Sequence, residues 1–237
     1  MTDNETLHAL MAEGIKLHHE KKHAESCDAY ARAVQFAEMS WGLDASEVVQ
    51  PVVFLAMAVG EVEAGGHERI AEVLDLERRA MGIVQKQFGE SNPWMAFVLD
   101  KIGHTFRWLG KHEEARERLE KAVAIYDKVY GDVPATAHCL GMLGNLLLTM
   151  DRPADALHHY ERALHIEEAH GQNTVGLMVA SSGLGSSLIG VGRTEEAAVH
   201  FERALAIRIA RRPPEFKGED AVSVELRKRI AEARAKS

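Results

Sequence analysis

Apolar and small residues recur along this chain at helical rather than strand spacing. Leu99-x-x-Ile102-Gly103-x-x-Phe106, Leu140-x-x-Leu143-Gly144-x-x-Leu147 and Ser181-x-x-Leu184-Gly185-x-x-Leu188 each put such residues at i, i+3 and i+7. That spacing makes one face of an amphipathic helix. A turn follows each segment, and then a second helical pattern: Gly110 to Ala115, Asp151 to Ala156 and Gly192 to Ala197, with an earlier copy at Lys22-His23-Ala24-Glu25-Ser26. Four residues past the small residue comes a ring or leucine (Tyr30, Leu119, Tyr160, Phe201), and three further an alanine (Ala33, Ala122, Ala163, Ala204). A degraded fifth copy runs from Gly65-Gly66-His67 to Arg79-Ala80-Met81.

The closing alanines, Ala80 included, are spaced by 47, 42, 41 and 41 residues. So steady a period predicts stacked helix–turn–helix units. The repeats are expected at about 5–47, 48–93, 94–134, 135–175 and 176–213, in a single domain covering 1–237. The register of the second, around Val52–Val62, is the least defined. After Arg211-Arg212-Pro213-Pro214 proline stops the helix. A final helix at about 219–236, with Val222, Leu226, Ile230 and Ala233 on one stripe, then caps the stack. Mid-helix glycine costs about 1 kcal/mol against alanine, so its return in each clean copy calls for a packing reason. The expected reason is close approach to small residues of the second helix: the alanine twelve residues on, and a glycine–alanine facing of Gly103, Gly144 and Gly185 with Ala122, Ala163 and Ala204.

The small residue after the turn, the ring that follows and the paired glycine and alanine positions resemble the tetratricopeptide repeat family. The long period, and repeat ends such as Phe88-Gly89-Glu90-Ser91-Asn92-Pro93, Tyr130-Gly131-Asp132-Val133-Pro134 and His170-Gly171-Gln172, resemble its kinesin-light-chain subclass. The resemblance spans about residues 5–212 and implies an all-α, right-handed α-solenoid of five helix–turn–helix repeats plus the C-terminal capping helix. Glu13 departs from it, standing where an apolar residue should precede Gly14.

Composition narrows the function. The chain is 46% hydrophobic and 27% charged, ordinary for a folded domain, and its net charge is −8. Residues 208–237 hold nine Lys/Arg against five Asp/Glu, so the body carries the acidic excess and repels phosphate; nucleic acid is not an expected partner. No apolar run reaches the roughly 20 residues that cross a bilayer. No membrane partner is therefore expected, and the polar start points to a cytoplasmic location. Cys27 and Cys139 lie far apart and read as free thiols.

Three patterns imitate chemistry. His19-Glu20-Lys21-Lys22-His23 matches HExxH, which needs both histidines on one continuous helix. Here it straddles the predicted turn, and His23 shares the repeat position of His112. His158, His159 and His165, with His138 on the facing helix, read as exposed helix histidines rather than ligands. Gly183-Leu184-Gly185-Ser186-Ser187-Leu188 lacks the third glycine of a dinucleotide loop and has no strand before it. No cofactor, metal or catalytic residue is expected.

The family resemblance implies that the first helices line a concave groove for a protein or peptide. It selects Phe97, Asp100, His104, Arg107 and Trp108 in the third repeat, and His138, Gly141, Asn145, Leu148 and Thr149 in the fourth. In the fifth it selects Val179, Ser182, Ser186 and Ile189, and in the first Met11, Ile15, His18 and His19. Trp108, Arg107, His104 and Asn145 carry the most contact area and hydrogen-bonding capacity. The Ser- and Gly-rich first helix of repeat five would leave room for another chain. The expected function is a non-catalytic scaffold or adaptor. The alternatives are a regulatory sensor or toxin-neutralising protein that changes shape on binding a peptide, and, third, a metal-dependent enzyme. Self-association stays open.

Overall fold

The computed structural model describes residues 2–62, 66–171, 174–213 and 218–235, with only the backbone of residues 66–68. Gly65, the His67 side chain, Gln172, Pro214 and the last residue of the expected cap lie outside the described set. Among the described residues are eleven α-helices, one 3-10 turn and no strand. They form two compact units, Met1–Val129 and Tyr130–Ser237.

The first unit holds α1 (Asp3–His19), α2 (His23–Trp41), a 3-10 turn (Ser46–Val48), α3 (Val49–Glu61), α4 (Gly66–Phe88), α5 (Pro93–Trp108) and α6 (His112–Tyr130). The second holds α7 (Pro134–Thr149), α8 (Pro153–His170), α9 (Val175–Gly190), α10 (Thr194–Ala210) and α11 (Ala221–Ala235). Successive helices pair: α1 with α2 and α3 with α4 in the first unit, α7 with α8 and α9 with α10 in the second. The repeat alanines Ala33, Ala80, Ala122, Ala163 and Ala204 are all buried.

Four hairpins share one turn. The amides of Lys22, Lys111, Arg152 and Arg193 donate to the carbonyls of Leu17, Phe106, Leu147 and Leu188, each at 2.9 Å. Those of Lys21, Gly110, Asp151 and Gly192 donate to the carbonyls of His18, Arg107, Leu148 and Ile189. This pair of bonds is a Schellman C-cap, which needs a left-handed residue one place past the cap. Gly110 and Gly192 supply it with φ of 70° and 80°. Lys21 and Asp151 adopt φ of 59° and 55° without glycine's freedom.

The repeat glycines do not serve to face alanine. A Cβ on Gly144 would stand 2.6 Å from Cε2 of Tyr160, one on Gly185 2.8 Å from Cε1 of Phe201, and one on Gly103 2.9 Å from Cγ of Leu119. Gly14 meets Tyr30 in the same way. Each partner lies sixteen residues on, at the ring-or-leucine position of its own hairpin. The glycine is therefore a notch that seats a large side chain, which corrects the expected glycine–alanine facing. The small residue after the turn lies beside the notch: Ser26 donates to the Gly14 carbonyl at 3.0 Å, and the Ala115 carbonyl would be 3.4 Å from a Cβ on Gly103.

Helix α9 carries the principle furthest. Its Gly176, Gly183 and Gly190 fall seven residues apart and meet, in turn, Glu167, Tyr160 and Pro153 of α8, also seven apart. The two helices thus run antiparallel along a glycine seam, and Tyr160 is held between Gly144 of α7 and Gly183 of α9. The room that the sequence suggested for another chain is filled by α8 itself.

The second repeat departs from the pattern. Helix α3 ends at Glu61, and Glu77 takes the ring position on α4. Only 4% exposed, it accepts two hydrogen bonds from Arg118 of α6, at 2.6 and 2.7 Å. The Arg118 guanidinium lies 4.2 Å from the Phe106 ring centre. One helix earlier, Arg79 of α4 pairs with Glu38 of α2, so the second helices of this unit are tied by a ladder of ion pairs. At the C-terminal end, α11 packs on α10 and buries Ser223, Leu226 and Ala233. Val222, expected on the buried stripe, is 44% exposed and Ser223 is buried instead, while Leu226 and Ala233 are buried as expected.

The notches predict opposite outcomes for two glycine-to-alanine changes. Gly82, on α4, has nothing within 4 Å of a Cβ, so Gly82→Ala should stabilise by up to about 1 kcal/mol through helix propensity. Gly144→Ala forces a methyl into the Tyr160 ring, and overpacking of about 1–3 kcal/mol outweighs the same gain. Thermal unfolding followed by circular dichroism should show the two midpoints moving in opposite directions.

Candidate functional site

In the first unit, the first helices of three hairpins meet at a cavity of about 270 Å³. It is lined by Ile15, His18 and His19 of α1, Tyr30 of α2, Phe54 and Met57 of α3, and Lys101 of α5. Ile15, His18 and His19 are residues that the sequence reading assigned to the groove. Met11, assigned with them, is 6% exposed and packs in the core with Tyr30, Ala33 and Ala58. The aromatic lining continues onto α5, where the Phe97 ring lies 6.5 Å from that of Phe54 and 5.7 Å from that of Trp94. The Lys101 ammonium sits 5.9 Å from the Phe97 ring centre and 2.8 Å from a carboxylate oxygen of Asp100. Asp100 itself is only 4% exposed, so its carboxylate charge is spent on Lys101 rather than presented to a ligand.

At the C-terminal end of α5, His104, Arg107 and Trp108 form one cluster. The Trp108 indole N–H donates to His104 Nε2 at 3.3 Å, and the Arg107 guanidinium lies 5.6 Å from the Trp108 ring centre. Trp108 stays 62% exposed, so its ring rests on its own helix with a free face. Such a ring, held in place by a cation and a polar neighbour, loses little freedom on binding.

In the second unit, Asn145 and Leu148 of α7 line a cavity of about 240 Å³ with Val179, Ser182 and Ser186 of α9, and Leu226 and Arg229 of α11. Two of the selected polar groups are engaged there. Asn145 Oδ1 accepts from the Tyr160 hydroxyl at 2.8 Å, leaving its amide group to donate. Ser186 donates to the Ser182 carbonyl at 3.0 Å and accepts from Arg229 at 2.9 Å, so the capping helix reaches over this end of the cavity. His138 is exposed, and Gly141 is buried with no atom within 4 Å of a Cβ. The Arg229 contact has no signal in the sequence, where Arg229 lies off the stripe of Val222, Leu226, Ile230 and Ala233 expected to pack.

Asp220 anchors that cap. It is the N-cap of α11, accepting from the Ser223 amide and hydroxyl, and it pairs with Arg208 and Arg212. Partial burial pulls its carboxyl upward, but the Ser223 hydrogen bonds and Arg208 outweigh this and hold it down at about 2. Burial pushes the Cys27 thiol up to about 11, so it stays protonated and is no nucleophile.

HExxH is broken by the turn, with α1 ending at His19 and α2 starting at His23. Gly183 and Gly185 lie in the middle of α9, seated against Tyr160 and Phe201, far from a phosphate-binding helix start. Among the described residues, one group could hold a metal ion, His18, His23 and Glu61; His138, His158 and His165 make no such group.

Residues 94–169 match the family model for the tetratricopeptide repeat. That segment belongs to the tetratricopeptide repeat family. The chain as a whole has the fold of kinesin-light-chain-like repeats. The Podosopora anserina kinesin light chain of nearly identical TPR-like repeats superposes with a TM-score of 0.66 at 16% identity, over 88% of this chain and 98% of that one. BtubC (BKLC) from P. vanneervenii superposes at 0.67 with 19% identity, over 88% and 82%. A Pyrococcus horikoshii signal-transduction ATPase with a tetratricopeptide repeat sensor gives 0.69 at 14% identity, over 98% of this chain but 32% of that protein. No curated protein matches the chain by sequence. Among the described residues, no helix is long and apolar enough to cross a membrane.

The Asp220 geometry sets a pH dependence for α11. Its folded value lies below the ordinary 3.8, so its contribution is complete above about pH 4 and fades as pH falls toward 2. Amide exchange in α11 should therefore quicken over that window ahead of exchange in α9 and α10. In Asp220→Asn, α11 should exchange fast already at neutral pH, with no further change on acidification.

Proposed function

We propose that this protein is a non-catalytic scaffold that holds an extended peptide or a partner helix against its first helices. The observation that carries this is Trp108, a large ring 62% exposed on α5 and braced by Arg107 and His104. A tryptophan beside an arginine supplies the contact area and directional bonding that dominate binding energy at protein interfaces. The fold gives general support, since tetratricopeptide repeats are protein-interaction scaffolds and typically lack catalysis. The mixed lining of the 270 Å³ cavity fits a peptide rather than a small polar substrate: Ile15, Phe54 and Met57 offer apolar contact, and His18, His19 and Lys101 offer polar ends. Phe97, His104, Arg107 and Trp108 are the proposed contacts of the first unit, and His138, Asn145 and Ser182 those of the second. Asp100, Gly141 and Ser186 act behind them: Asp100 holds Lys101, Gly141 keeps the surface free of a side chain, and Ser186 receives Arg229.

The double substitution Trp108→Ala with Arg107→Ala tests this. Affinity capture from native extract should lose its specific partners by at least about ten-fold, while helicity stays that of the parent and the melting midpoint moves little, Trp108 being exposed and Arg107 only half-buried. Full retention of every partner would remove the proposal.

A further inference from the structure

The ends of three helices of the first unit converge at one point. His18 lies in the last turn of α1, His23 opens α2 and Glu61 closes α3. Glu61 Oε2 stands 2.9 Å from His18 Nδ1 and 3.3 Å from His23 Nδ1, and the three ligand atoms lie within 4.8 Å of one another. Both are ion-pair distances when the histidine is protonated, but neither has the geometry of a hydrogen bond. Glu61 Oε2 and His23 Nδ1 are both shielded from solvent, and neither has a hydrogen-bond partner. A buried polar atom without a hydrogen bond is destabilising unless something else meets its charge or lone pair. Three ligand atoms from three helix ends, gathered within 4.8 Å of one another, are what a cation would require.

We propose that His18, His23 and Glu61 hold one borderline divalent ion, of which Zn²⁺ is the best fit, tying α1, α2 and α3 together. Two imidazoles and one carboxylate are ligands that zinc accepts, at about 2.0–2.2 Å each. Around a tetrahedral ion those lengths place ligand atoms roughly 3.3 Å apart, close to the distances found. Side-chain exposures of 31%, 28% and 11% leave an entry path. Three protein ligands leave a fourth position for water or for a carboxylate or imidazole of a bound partner, and His18 also borders the 270 Å³ cavity.

The repeat itself supplies a control. His112 occupies the position of His23 in the third repeat, and its Nδ1 also has no hydrogen-bond partner. Arg107 stands there in place of His18, a cation where a ligand would be needed, and no metal-binding group forms. The site does not correspond to the HExxH pattern, since His19 is outside the group. It shares His18 with the lining of the proposed peptide cavity, but no ligand atom belongs to the Trp108 cluster, so the two proposals are tested by different substitutions.

The test uses the full chain after chelator treatment, titrated with Zn²⁺ by calorimetry and with Co²⁺ as a spectroscopic probe. One ion should bind per chain, with Co²⁺ absorption of four-coordinate intensity, and Zn²⁺ should raise the melting midpoint. His23→Gln and Glu61→Gln should each weaken binding by at least about ten-fold and abolish the thermal shift. His19→Gln and His158→Gln should match the parent, which separates this group from the other histidines. Circular dichroism of the glutamine variants shows that they remain folded. Absence of stoichiometric binding, or binding unaffected by both His23→Gln and Glu61→Gln, would overturn the proposal.

Discussion

A large side chain seated in a glycine notch is the contact on which the hairpins depend. Leu119, Tyr160 and Phe201 are buried at 0–1% exposure, each beneath the glycine of its partner helix. Removing one Cβ from the first helix admits the face of a whole ring, and the area so buried is worth more than the roughly 1 kcal/mol that mid-helix glycine costs. The Schellman turn then fixes how the second helix returns. Its two backbone bonds recur with nearly the same lengths in four hairpins. Notch and turn are local devices, which is why a period of about 41 residues can be laid down repeatedly.

Where the notch is missing, another device takes over. Helix α4 puts Glu77 at the ring position, and a buried carboxylate is tolerable there only because Arg118 meets it with two hydrogen bonds and covers Phe106. The same arginine thereby joins α4 to α6. In α9 the notch is multiplied instead. Three glycines seven residues apart let α8 approach so closely that Pro153, Tyr160 and Glu167 occupy the space that their side chains would have filled.

The hairpins and turns were legible in the sequence because they rest on short-range spacing that repeats. What each glycine faces was not, because a period shows that a small residue is needed without showing which neighbour fills the gap. The seam of α9 was equally hidden, since Gly176, Gly183 and Gly190 interlock with residues of a different repeat. Among the candidate site residues, Trp108 and Arg107 were selected through the family resemblance, and the structure leaves Trp108 exposed and Arg107 half-buried beside it. Asp100 could not be judged, because its burial and its pairing with Lys101 follow from packing that a repeat position does not reveal. The His18–His23–Glu61 group escaped notice because Glu61 comes from another hairpin, and only folding brings the ends of α1, α2 and α3 together.

The most direct measurement of the notch is a double-mutant cycle on Gly144 and Tyr160, read by amide exchange in α7 and α8 with denaturant unfolding alongside. If the ring fills the notch, Gly144→Ala lowers protection in the parent but becomes neutral or stabilising in a Tyr160→Ala background, a coupling of about 1–3 kcal/mol. An equal cost in both backgrounds would mean that the glycine is there for some other reason, and the account of the fold given above would fail.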